Sequence, residues 1–64
     1  MKGHFYRFVG KASTGYETNH VYELDMWIQS WNGQPHLWIE DVKGDGVACP
    51  YQSMDTFLEN WVRL

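Results

Sequence analysis

The chain predicts a mainly β fold of the α+β class: a curled antiparallel sheet of three to four strands, of an SH3-like kind, with one C-terminal helix. Three observations carry this expectation. Asn32-Gly33, the dipeptide that best tolerates the positive φ angles of a two-residue type I′ turn, separates two β-like segments. Residues 20–30 alternate cleanly between apolar and polar. After Ser53 the apolar spacing changes from every second residue to the i, i+3, i+4, i+7 pattern of a helix.

The first strand is expected at about 4–11 (HFYRFVGK), rich in aromatic and β-branched residues, with Tyr6 and Phe8 on one face and Phe5, Arg7, Val9 and Lys11 on the other. Residues 12–19 (ASTGYETN) are small and polar around Gly15 and read as a loop. A second strand at about 20–30 sets Tyr22, Leu24, Met26 and Ile28 against Glu23, Asp25, Trp27 and Gln29. A third at about 36–42 ends at Lys43-Gly44-Asp45-Gly46, a strong turn signal, and a short fourth at about 47–51 completes a meander. Ser53 is a good N-cap, and Asp55 puts negative charge in the first turn, where the helix dipole favours it. A helix at about 54–62 would then present Met54, Phe57, Leu58 and Trp61 as one stripe that docks on the sheet.

If Asn32 and Gly33 are the turn residues, the hairpin register follows. Trp31 faces Gln34, Trp27 faces Trp38, Ile28 faces Leu37, Met26 faces Ile39, and Asp25 faces Glu40. Side chains alternate, so the aliphatic pairs make one face and the tryptophan pair shares the other with Glu23, Asp25, Gln29, His36 and Glu40. The helix is expected on the aliphatic face, leaving Trp27, Trp38 and Trp31, with Asp25, Glu40, Gln29 and His36 around them, as the candidate partner-binding surface. The competing arrangement puts the helix on the tryptophan face.

Sixty-four residues suit a single domain, 1–64, near the lower limit for a core without staples. The one cysteine, Cys49, has no internal disulfide partner, and zinc-type Cys/His spacing is absent. Four tryptophans, four tyrosines and three phenylalanines are a generous supply for so small a core, and homodimerisation through the aromatic face or an edge strand would add to it. The net charge of −3, with no run of lysine or arginine, argues against binding duplex nucleic acid. No apolar signal segment or long hydrophobic span is present, and the free cysteine agrees with a reducing compartment, so a cytoplasmic protein away from membranes is expected.

The sequence offers little catalytic apparatus. His4, His20 and His36 recur at a spacing of sixteen, but antiparallel connections would put His4 and His36 near one sheet end and His20 near the other, too dispersed for a metal. Gly10-Lys11-Ala12-Ser13 lacks the earlier glycine and the magnesium-binding hydroxyl of a phosphate loop. Arg7, Lys11, Ser13, Thr14 and Gly15 could still form a small anion- or nucleotide-binding concavity, against the plainer reading of a solvated loop. Cys49 reads as an inert thiol in a buried strand. No cofactor is expected, and the chain reads as a non-enzyme. The contrary reading is a small metal-dependent hydrolase or nuclease using Asp25, Glu40 and a histidine.

The stretch Cys49-Pro50-Tyr51-Gln52-Ser53, followed by Phe57-Leu58 and Asn60-Trp61, resembles the ending of a group of small bacteriophage accessory proteins. Their opening is similar to Tyr6-Arg7-Phe8, Gly10-Lys11, Thr14-Gly15 and Val21-Tyr22-Glu23 here. The tryptophan hairpin is not part of that pattern. The resemblance implies a context, the host cell cytoplasm, and a mode, stoichiometric binding that blocks a host defence protein. A dimeric sponge that sequesters a nucleotide immune signal is the alternative it leaves open.

Overall fold

Asn32 and Gly33 both take positive φ, 54° and 77°, and close the hairpin with the expected register. The computed structural model describes residues 3–12, 15–44 and 47–64. Strand β1 (His4–Phe8) is followed by the long hairpin strands β2 (Val21–Trp31) and β3 (Gln34–Asp41), then β4 (Cys49–Tyr51), helix α1 (Met54–Leu58) and β5 (Trp61–Arg63). All strand pairings are antiparallel, in one open sheet of order β4-β3-β2-β1-β5. Among the described residues the fold is therefore mainly β with one short helix, and it has five strands rather than three or four.

The extra strand comes from the segment expected to be the second half of the helix. The Ser53 capping box forms: its hydroxyl accepts the Thr56 N–H at 3.3 Å, and its own N–H donates to Thr56 Oγ1 at 3.0 Å. The helix nevertheless stops at Leu58. Asn60 N–H turns back to the Phe57 carbonyl at 3.0 Å, and the Asn60 carbonyl accepts Val9 N–H at 2.8 Å. Beyond it, Trp61 pairs with Phe8, Val62 with Arg7 and Arg63 with Tyr6. Pairing here also satisfies backbone groups along the outer edge of β1, which another helical turn would not reach, and β-branched Val62 suits a strand. Of the expected stripe, Phe57 and Trp61 are buried, the latter from a strand, while Met54 and Leu58 are exposed.

The core lies on one side of the sheet. Tyr6, Phe8, Leu24, Met26, Leu37 and Ile39 supply the sheet side, and Phe57 caps it, edge-on to Tyr6 at 5.1 Å and to Tyr51 at 5.5 Å. Trp61 fills the centre, with Phe8, Tyr16, Tyr22 and Phe57 ringed around it at 4.9–5.9 Å. Its Nε1 donates to the Tyr51 hydroxyl at 3.0 Å, so a large polar-tipped side chain is buried without an orphaned donor.

Residues 15–19 are not simply a solvated loop, because Tyr16 within them is 2% exposed. Its hydroxyl donates to the Val47 carbonyl at 2.9 Å and accepts Asp41 N–H at 3.1 Å, tying this loop to the end of β3 and the approach to β4. Strand β1 also stops short of Lys11. Asn19, at φ 71°, donates its N–H to the Phe8 carbonyl at 2.6 Å, and Thr18 Oγ1 donates to the Gly10 carbonyl at 2.7 Å, which turns the chain out of the sheet. Asp45, Gly46 and the pair Ser13-Thr14, parts of the expected turn and anion loop, lie outside the described residues.

Candidate functional site: a tryptophan and carboxylate face

Because β2 and β3 pair in register over eight residue pairs, their outward side chains form rows. Asp25 stands beside Glu40, Trp27 beside Trp38, Gln29 beside His36, and Trp31 beside Gln34. All seven residues expected at a partner surface therefore meet on one face, and α1 packs on the opposite one. Trp27 and Trp38 are half-buried against each other and their neighbours, and Trp31 is 47% exposed.

The indoles are held in place. Trp27 and Trp38 lie nearly parallel, 11° apart with ring centres at 6.3 Å, and Trp31 stands across Trp38 at 81° and 6.2 Å. Gln29 serves both members of the stack: its side-chain oxygen accepts Trp27 Nε1–H and its backbone carbonyl accepts Trp38 Nε1–H, each at 3.1 Å. His36 packs edge-on to Trp31 at 5.4 Å. Its Nδ1 lies 2.9 Å from the Gln34 carbonyl, which makes Nδ1 the protonated nitrogen in the neutral ring and leaves Nε2 as the acceptor. With the Trp27 and Trp38 N–H groups satisfied inside the hairpin, a partner meets flat aromatic surface at the stack.

At one end of the stack, Asp25 and Glu40 are half-buried, and no ion pair forms at either among the described residues. Two carboxylates directly across a strand pair favour a cationic neighbour. The sheet continues outward with residues the hairpin pattern alone does not reveal. Phe5 and Arg7 of β1, Val21 of β2 and Val62 of β5 are exposed on this side, with Pro50 of β4 half-buried at its far edge. Alternation in the first strand already separated Phe5 and Arg7 from Tyr6 and Phe8. Val62 carried no such signal, because its segment read as helix.

Of the second expected cluster, Ser13 and Thr14 lie outside the described residues. Arg7 stands on the sheet face, while Lys11 and Gly15 belong to the connection after β1, and all three are exposed. The histidines are also dispersed, though differently from expectation: His4 is level with Leu24, His36 with Gln29, and His20 precedes β2 opposite Phe8. The offset arises because β1 covers only the first part of β2. No group of three or more His, Cys, Asp or Glu residues able to hold a metal is found among the described residues. Cys49 is half-buried, and burial pushes its thiol pKa up, away from a thiolate.

Two open depressions lie on the described surface, one of about 170 Å³ between Phe5, Val21 and Lys43, the other of about 320 Å³ beside Pro35, His36 and Gln52. No helix of the described chain is long and apolar enough to cross a membrane. Comparison of the chain with protein-family models, with curated proteins and with solved structures finds no match.

Proposed function

We propose that this chain is a non-enzymatic binding protein that acts stoichiometrically, docking its tryptophan and carboxylate face on a basic patch of another protein and blocking it. The bacteriophage-like beginning and ending make a host defence component the expected target. The observation that carries this reading is the Trp27/Trp38 stack, fixed by Gln29 and adjoining the Asp25–Glu40 row, at which no ion pair forms among the described residues.

Tryptophan anchors supply much of the affinity at protein interfaces, and a preset geometry lowers the entropy cost of using them. The acidic row would speed association with a cationic surface and make it sensitive to salt. Turnover is disfavoured because the exposed face offers no nucleophile beside a base.

Native mass spectrometry of the chain recovered from infected or defence-expressing cells tests this. The expected result is a protein partner in fixed stoichiometry, lost on Trp27→Ala and Trp38→Ala and weakened by salt. A partner that stays bound to the double variant would overturn the assignment. A bound nucleotide in place of a protein would select the sponge alternative.

A further inference from the structure

The outer face of the sheet has two unlike halves, and each supplies what the other lacks. On β2 and β3 lie the stacked indoles and the Asp25–Glu40 row. Across β1, β5 and the start of β2 lies an apolar patch: Phe5 is 52% exposed, Val21 44% and Val62 49%, and Leu64, whose N–H donates to the Phe5 carbonyl, 61%. Arg7 rises from that patch between its cross-strand neighbours Val21 and Val62. No ion pair forms at Arg7 among the described residues.

We propose that this face pairs with the same face of a second copy in a two-fold dimer. A two-fold axis lying in the contact plane, running diagonally to the strands, brings the β1–β5 half of each copy over the β2–β3 half of the other. Each Arg7 then reaches the carboxylates of the second copy, and each apolar patch covers the second copy's indoles. Both contacts are made twice, because an isologous interface repeats every pairing.

A second copy is the occupant because complementary charge and complementary apolar surface are both present on this one face. Exposed apolar groups in contiguous patches mark interaction surfaces. The molecule measures 32 × 21 × 21 Å, so one sheet face is comparable with the ~800 Å² per partner of a standard specific interface. The dimer covers Trp27 and Trp38, so it and the partner complex proposed above exclude each other. The test uses the pure chain alone, and its outcome is independent of whether that partner exists.

Sedimentation equilibrium from nanomolar to millimolar concentration is expected to show a monomer–dimer equilibrium. Arg7→Glu alone, and Asp25→Arg with Glu40→Arg alone, should each weaken it by about tenfold or more through like-charge contact. An equimolar mixture of the two variants should recover the dimer, because the reversed charges again meet opposite ones. Leu64→Glu, a change outside the charged set, should weaken it as well. A wild-type chain that is monomeric throughout overturns the proposal. So do folded charge variants that dimerise like wild type, or a mixture that stays monomeric.

Discussion

The hydroxyl of Tyr16 donates to the carbonyl of Val47 at 2.9 Å and so closes a contact between two connecting segments far apart in sequence. The same oxygen receives Asp41 N–H, and the ring packs edge-on to Trp61 at 5.3 Å. Tyr16 thus forms part of the wall of the core, although its neighbours in the loop are exposed.

Tyr16→Phe is expected to destabilise the fold by about 1–3 kcal/mol, since it leaves a backbone donor and a backbone acceptor without their partner. Tyr16→Ala should cost about 3–5 kcal/mol by also opening a cavity beside Trp61. Urea unfolding followed by far-ultraviolet circular dichroism measures both. A loss below about 0.5 kcal/mol for either variant would mark a surface residue.

Burial pushes the Tyr16 pKa well above its ordinary value near 10, and Tyr51 is raised by burial too. Between the unfolded and folded pKa values the native state holds more protons than the unfolded chain, so stability falls as pH rises. This contribution is flat through neutral pH and begins to decline near pH 10. Melting temperatures measured along an alkaline series should show the decline, and Tyr16→Phe should make it shallower.

Two glycine-to-alanine changes should fail for different reasons. At Gly33 a Cβ meets open space, so Gly33→Ala costs about 1–2 kcal/mol through its φ of +77° alone. At Gly10 a Cβ collides with the Asn60 side-chain oxygen and comes within 3.0 Å of the Phe8 ring. Gly10→Ala should cost about 1–3 kcal/mol as overpacking beside a buried aromatic. Repeating both in an Asn60→Ala background separates the mechanisms: part of the Gly10 cost should disappear and the Gly33 cost should not.

Removing residues 53–64 should abolish cooperative unfolding. The cut deletes Phe57, Trp61 and β5, which supply one side of the core and the strand paired to β1. A fragment 1–52 with a sharp thermal transition would show that the remaining four strands carry the fold without them.

Trp27→Ala and Trp38→Ala should each cost far less stability than Trp61→Ala, for which about 3–5 kcal/mol is expected. The outer indoles are half-buried and lie away from the core, whereas Trp61 is 1% exposed at its centre. Chemical denaturation of the three variants compares them directly.

The hairpin was legible because its turn residues and its alternation agree: Asn32-Gly33 demands positive φ, and that turn fixes Trp27 opposite Trp38 and Asp25 opposite Glu40. The C-terminus was only half legible. Trp61 satisfies both a helical stripe and an alternating strand, and the free edge of β1, a tertiary feature, decides between them. Tyr16 left no trace, since one aromatic residue among Ser, Thr, Gly and Glu has no periodicity to betray its burial. The shared face of Trp27, Trp38, Asp25 and Glu40 was legible along one hairpin, but the apolar residues that extend it depend on which strand becomes the neighbour of β1.

The division of four tryptophans between a dry interior and a carboxylate-bearing exterior also gives the molecule two separable fluorophores. Trp61, enclosed by rings and bonded to Tyr51, should emit toward the blue and resist collisional quenchers. Trp27, Trp31 and Trp38 should account for the red, quenchable part of the emission. Asp25 and Glu40 beside the stack attract caesium and repel iodide, so the two quenchers should differ in strength on those indoles alone. Whatever covers that face would then announce itself as a loss of caesium quenching while the blue emission of the core stays constant.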